Sequence, residues 1–384
     1  MGSKQKKAVQ RGATYSLASS LIGEKRYRIL RFFIFKERVF TRLMIICFAL
    51  AAVLYPYPSI AMWLGFMFAA YSAIANDSIQ TIGTFISSNS RSPWWLLWLY
   101  IGLIFLFTMA YGWVVNDGDV SYQRLTSKGF ENAPTSFQFL QIAAPLILLL
   151  LTRLRMPVST TFLLLSVFSA SASGIGGLLL KSMSGYFVAF TTAIVVWFGL
   201  GWVLKKVVFR GKPHPLWRPI QWVVSGMLWA VWLMQDAANI AVFLPRKLSL
   251  GEFAFFAGFI FFGLGLLFYL KGDKIQKIVN EKTEIQDVRS ATVIDFAYAI
   301  ILYIFKEMSN IPMSTTWVFI GLLGGRELAM FYSSHFKTKI SRTLLFKMIF
   351  RDLRAASIGL AISILLAVLI NPSISKEILQ QFGF

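Results

Sequence analysis

Met234-Gln235-Asp236-Ala237-Ala238-Asn239 lies inside one long apolar run, and Ala75-Asn76-Asp77 lies inside another. Downstream of each comes the same five-residue pattern: Pro157-Val158-Ser159-Thr160-Thr161, then Pro312-Met313-Ser314-Thr315-Thr316. The Asp-to-Ser spacing is 82 residues in the first half and 78 in the second. Four identical positions out of five, at matched spacing, mark an internal duplication. Each copy is expected to hold five membrane spans, and an odd number of spans turns the second copy upside down relative to the first. The expected fold class is all-α: a polytopic transmembrane helical bundle with two inverted-topology repeats and about eleven or twelve spans, some broken or re-entrant. That architecture recurs among secondary transporters.

Composition sets the same frame. The 384 residues are 57% hydrophobic and 14% charged, with a mean hydropathy of +0.64. Soluble domains carry about 25% charged residues, so most of this surface does not face water. Spans are predicted at 39–55, 59–90, 94–115, 137–151, 157–181, 184–204, 217–246, 251–271, 291–308, 313–334 and 351–371. The short ones extend into polar flanks or tilt. The net charge of +21 belongs to loops. With the amino terminus inside, thirty Lys and Arg fall on the inner side and seven on the outer, among them Arg124, Lys181 and Lys306. This is the asymmetry of the positive-inside rule, and it places an integral protein in the inner or plasma membrane with a cytoplasmic amino terminus. The organisation is read as a basic cytoplasmic segment over 1–38, a first transmembrane helix over 39–58, repeat 1 over 59–204, a basic linker over 205–216 and repeat 2 over 217–384. Residues 26–40 interleave basic and aromatic side chains, as a helix lying on the anionic inner leaflet does; nucleic acid is not an expected partner, whereas the lipid bilayer is. Self-association as a homodimer is a further partner expectation. A single cysteine, Cys47, rules out a disulfide framework.

An intramembrane carboxylate needs a partner or a wet cavity. Asp77 and Asp236 each stand beside an amide, Asn76 and Gln235, and each has another three residues on, Gln80 and Asn239. That spacing keeps acid and amide on one helix face. Carboxylate and carbonyl oxygens suit a hard cation such as Na⁺, and a carboxylate also takes a proton, so these six residues are the expected coupling-ion site, with Asp77 and Asp236 as Na⁺ ligands if the coupling ion is sodium. The bland alternative is that both acids cap half-helices. The Pro-x-Ser-Thr-Thr segments read as helix starts. There the hydroxyls of Ser159, Thr160, Thr161, Ser314, Thr315 and Thr316 join free backbone N–H groups at a positive helix end, an anion site. Their bland reading is two ordinary N-caps. Small residues over 169–177 and 321–325 are read as packing positions, Arg326-Glu327 as a mutual ion pair, and Asp295 and Glu307 as interfacial. His214 and His335 stand far apart without acidic neighbours and suggest neither metal nor base.

These motifs resemble the inorganic phosphate transporter family, the PiT type, whose repeats carry Gly-Ala-Asn-Asp-Val-Ala-Asn and Pro-Val-Ser-Thr-Thr-His. Ala75-Asn76-Asp77 with Gly83-Thr84 looks like the first copy of the former, and Asp236-Ala237-Ala238-Asn239 like the second. The resemblance spans roughly 59–335. It implies symport of inorganic phosphate with Na⁺ or H⁺, no resident cofactor and no enzymatic reaction, with substrate held between the repeats. The chain departs from the pattern at Gln80 and Gln235, which replace asparagines, and at Phe162 and Trp317, which replace the histidine after Ser-Thr-Thr. Sulfate or another small oxyanion is the alternative cargo. An intramembrane lipid-phosphate enzyme and a non-transporting sensor are the alternatives of other classes. The predicted spans leave Ser159 and Ser314 near the membrane surfaces, whereas a shared site belongs near the midplane. Re-entrant hairpins, with a turn at 169–174, bring them deeper.

Overall fold

In a computed structural model, the described residues are 37–126, 130–154, 158–169, 171–199, 201, 206, 208, 211–270, 288–308, 310–333, 342–371 and 374, with backbone only at 77–80, 344, 348, 352 and 355. The basic segment before residue 37, most of the loop after 270, part of the 205–216 linker, Pro157 and His335 lie outside them. The described chain is helical throughout: α1 (Arg38–Leu54), α2 (Pro58–Ser88), α3 (Trp94–Val115), α4 (Phe139–Arg153), α5 (Ala172–Ile194), α6 (Trp217–Ala241), α7 (Leu250–Tyr269), α8 (Val288–Met308), α9 (Thr315–Tyr332) and α10 (Arg342–Ile370). Two π-helical turns join them: Thr161–Leu165, and Val195–Gly199 at the end of α5. Six helical stretches are long and apolar enough to cross a bilayer: Pro58–Asn76, Trp94–Val115, Ala172–Gly199, Leu250–Tyr269, Val288–Met308 and Leu345–Ile370. The protein is a polytopic transmembrane helical bundle. The described residues fall into two compact units, one over 37–53 and one from 54 onward. All of α1 except Leu54 belongs to the first, and helices α2 to α10 belong to the second.

Local sequence explains the helix boundaries. Pro58 sits in the first turn of α2, where its missing N–H costs nothing. Gln138 with Gln141, and Ser249 with Glu252, close capping boxes on α4 and α7. Ser171 and Ser314 cap α5 and α9 by accepting the N–H of Gly174 and Trp317. Tryptophan and tyrosine heads tie α3 to its neighbours: Trp98 donates to Phe261 O at 3.0 Å, Trp229 to Ile101 O at 3.1 Å and Tyr100 to Trp222 O at 2.5 Å.

The fold corrects two expectations. The chain does not make separate spans at 157–181 and 184–204. A short helical return over 160–166 ends at a break around 169, and one unbroken helix then runs through 181–184 into the second π turn. The break falls at 169 because Ser169, Ser171 and Asn371 take up the loose backbone groups: Ser169 Oγ donates to Ser171 O and Asn371 Nδ2 to Ser169 O. No break is needed at 181, because the Lys181 ammonium reaches Ile311 O at 2.6 Å. Lys181, expected between spans, is therefore buried within α5. The second correction concerns the acids. α2 and α6 run unbroken through Asp77 and Asp236, so neither residue caps a half-helix.

Packing repeats between the halves. α2 packs on α4 as α6 packs on α8; α3 packs on α6 as α7 packs on α2; α9 packs on α5 as the Thr161–Leu165 turn packs on α10. The α5–α9 contact is the tightest. A Cβ at Gly321 would overlap the Tyr186 carbonyl oxygen, and one at Gly325 would overlap that of Phe190. Glycine is the residue that lets two backbones meet this closely. Gly325→Ala is expected to force the helices apart and destabilise the bundle by about 1–3 kcal/mol, read as a lowered melting temperature in detergent. Unchanged melting would mean that α5 and α9 do not meet there.

Candidate functional site

Asp236 lies at the centre, 2% exposed, on a face of α6 that meets both Ser-Thr-Thr segments. Its Oδ2 accepts the Thr315 hydroxyl at 2.5 Å. Its Oδ1 accepts Asn239 Nδ2 at 3.0 Å and faces the Thr161 hydroxyl at 3.4 Å. The Asp236–Asn239 bond is the i, i+3 pairing that the sequence spacing implies. Asn239 Nδ2 also reaches Thr161 Oγ1 at 3.2 Å, and that hydroxyl lies 3.3 Å from Met313 O. A hydroxyl has one proton, so Thr161 donates either to Asp236 or to Met313 and can switch between them. Thr315 is held from two more sides: Trp232 Nε1 donates to its hydroxyl at 3.3 Å, and Tyr298 OH donates to its carbonyl at 2.9 Å. In the first half, Asn76 Nδ2 meets Thr160 Oγ1 at 3.4 Å and Val158 O at 3.5 Å.

Residues some 80 positions apart thus share one buried carboxylate. Ser159, Thr160, Thr161, Ser314, Thr315 and Thr316 are all buried, as are Asn76, Gln235, Asp236 and Asn239. Their roles divide. Ser159 Oγ accepts the N–H of Phe162 at 3.1 Å and Ser314 Oγ that of Trp317 at 3.3 Å, so the serines serve as N-caps while Thr160, Thr161 and Thr315 turn toward the acids and amides. Thr316 is buried but makes no described hydrogen bond to the Asp236 cluster. Gln235 Nε2 donates to Leu302 O at 3.0 Å. The Gln235 Oε1 and Asn239 Oδ1 acceptors are buried without a hydrogen-bond partner. The side chains of Asp77 and Gln80 lie outside the described residues. Phe162 and Trp317, at the positions following Ser-Thr-Thr, pack on each other with ring centroids 5.8 Å apart.

A second buried acid was missed. Asp295, read from sequence as interfacial, is 1% exposed: Thr84 donates to Oδ1 at 2.8 Å and Ser225 to Oδ2 at 2.6 Å. α8 begins at Val288 and lies against α2 and α6, so a position near the start of the predicted span falls inside the bundle. One layer further along the α2–α6 seam, Asn89 Nδ2 donates to Gln221 Oε1 at 3.1 Å and Trp222 Nε1 to Asn89 Oδ1 at 3.0 Å. The available signal was a hydroxyl on each of the two helices, Thr84 and Ser225, inside apolar spans. Arg326 and Glu327 form the expected ion pair at 2.6 Å. Among the described residues, no group of three or more His, Cys, Asp or Glu side chains is placed to hold a metal ion.

No family model matches the chain, and no curated protein matches it. A solved structure described as "The sodium-dependent phosphate transporter" matches in fold, with a TM-score of 0.50 and 16% identity over 82% of this chain and 98% of that one.

Asp236 and Thr315 are expected to be strongly coupled. A double-mutant cycle of Asp236→Asn and Thr315→Val, read by thermal unfolding in detergent, should return an interaction of about 1–3 kcal/mol; additive effects would mean that the 2.5 Å bond contributes nothing. By its helices and its likeness in fold, the chain is an integral membrane protein with the bundle architecture of a solved transporter.

Proposed function

We propose that this chain is a secondary active transporter that moves inorganic phosphate together with a cation, Na⁺ or H⁺. One observation carries the reading: both Ser-Thr-Thr segments converge on a single buried carboxylate, with the threonine hydroxyls as its donors. In this structure these donors satisfy the Asp236 carboxylate. When an oxyanion arrives, its oxygens compete with Asp236 for the hydroxyl protons of Thr161 and Thr315, with Thr160 beside them. Asp236 then loses donors and needs positive charge in their place. Asn239, on the same helix face, carries a buried carbonyl oxygen without a hydrogen bond among the described residues, and Gln235 carries another on the neighbouring face; carboxylate and carbonyl oxygens are the ligands a hard cation takes. Asp77 and Gln80 are assigned to the same cation by their place in α2. Anion and cation thus bind better together than apart, and this coupling free energy is what a symporter needs.

Phosphate is favoured over sulfate by the acid itself. A protonated phosphate has an O–H to donate to a carboxylate; sulfate has none and meets only repulsion. The halves are read as inverted repeats. Counting the 139–166 hairpin as a return to the same face, each half crosses the membrane an odd number of times, and the paired packing of α2 to α5 and α6 to α10 fits that exchange. The Lys and Arg distribution orients the 116–138 loop outward and the amino terminus toward the cytoplasm.

Uptake of labelled phosphate into proteoliposomes, under an imposed Na⁺ or proton gradient, tests the reading. Uptake is expected to follow one gradient, and Asp236→Asn is expected to reduce it at least about a hundredfold while leaving folded protein. Folded wild-type protein that moves phosphate under neither gradient would sink phosphate symport, and labelled sulfate would then test the alternative cargo.

A further inference from the structure

Arg124, Lys181 and the backbone of Lys306, which the sequence scatters over 182 positions, meet at one end of the bundle. Arg124, in a short 3₁₀ turn of the 116–138 loop, is 1% exposed. It donates through Nη2 to Lys306 O at 3.1 Å, at the end of α8, and reaches Met234 O at 3.5 Å, two residues before Asp236. Lys181, on α5, is 9% exposed and donates to Ile311 O at 2.6 Å, in the turn between α8 and α9. Lys306 and Ile311, whose carbonyls take the two head groups, stand five residues apart at the turn between α8 and α9. Lys306 pairs with Glu307 at 2.6 Å; Glu307, whose side chain is 53% exposed, is the acid that acts on Arg124. Burial pushes the Arg124 guanidinium down to about 10, so it stays cationic at neutral pH.

We propose that Arg124 and Lys181 form an outer receiving site for the oxyanion, separate from the Asp236 cluster and reached before it. The proposal rests on the transport reading and on the outward placement of the 116–138 loop. Charge-assisted bonds to an oxyanion are roughly twice as strong as bonds to neutral carbonyls, so an arriving dianion draws both cations from the carbonyls they hold in this structure. Those carbonyls belong to the segments that shape the inner site. Ile311 stands three residues before Ser314, whose N–H rests on Ser182 Oγ at 2.8 Å, next to Lys181; Met313 O faces Thr161. Releasing Ile311, Lys306 and Met234 therefore loosens the α8–α9 turn and the end of α6 together. Capture of the anion at the outer pair and opening of the path to Asp236 become one event.

The test uses full-length protein in vesicles of known sidedness, with initial rates measured against phosphate at the outer face and, separately, at the inner face. Arg124→Gln and Lys181→Gln are each expected to raise the outer KM about tenfold, leaving the inner KM and the inward kcat within about twofold while the outward kcat falls by the factor that detailed balance requires, and Lys181→Arg is expected to restore most of the loss. A KM raised equally at both faces, or a fall in kcat alone, overturns the receiving site and makes the two cations clamps of the bundle. If Arg124→Gln does not fold, Lys181→Gln carries the same test, because its long stem needs only its head replaced. Wild-type protein that moves no oxyanion sinks the transport reading and this site with it; wild-type transport with unaltered variants sinks this site alone.

Discussion

A carboxylate inside an apolar bundle has no water to turn to, and leaving it without donors costs several kcal/mol. Asp236 is in that position, and the arrangement around it answers the cost. Thr315 and Asn239 donate to it, Thr161 stands within reach, and Trp232 and Tyr298 hold Thr315 in place. Because Thr161 and Thr315 come from opposite halves of the chain, satisfying one acid requires the halves to close on each other. The α5–α9 contact, the 167–171 break and the α8–α9 turn all serve to present those two threonines. The Asp236 cluster is thereby a structural keystone, and anything that draws the threonine protons away acts on the whole bundle.

The same economy governs the other buried polar groups. Asp295 takes hydroxyls from α2 and α6, and Asn89 and Gln221 bridge the same two helices one layer on. The α2–α6 seam thus holds two polar layers within otherwise aromatic and aliphatic surroundings. An apolar cavity lined by Phe105, Met109, Trp229 and Trp232 also touches Asp236; its apolar walls keep the local dielectric low and make each hydrogen bond at the acid count for more. Phe162 and Trp317, which stand where the resembled family has histidine, pack on each other at a tilt and carry no titratable group.

Much of this was legible in the residues, for identifiable reasons. Buried acids and amides are rare in apolar spans, so Asp236, Asn239 and Gln235 stand out in any reading. The i, i+3 spacing of Asp236 and Asn239 is a property of one helix and needs no tertiary information. Repetition of Pro-x-Ser-Thr-Thr did the same for the threonines. The span boundaries were less legible. A lysine and three small residues at 181–185 look like a loop, and become helix because Ile311, 130 positions away, offers a carbonyl to the ammonium. Asp295 looked interfacial because the helix it belongs to starts earlier than its apolar run.

Sequence by itself determined the class of molecule and singled out the acids, amides and hydroxyls that the bundle buries, since hydropathy, motif spacing and side-chain chemistry are local properties. Tertiary structure alone decided which of those residues meet. It separated the capping serines from the threonines that face the acid, kept α2 and α6 continuous through their aspartates, and gathered Arg124 and Lys181 at one turn. Those outcomes depend on which distant carbonyl or hydroxyl lies within about 3 Å of a given head group, and a linear pattern does not contain that distance.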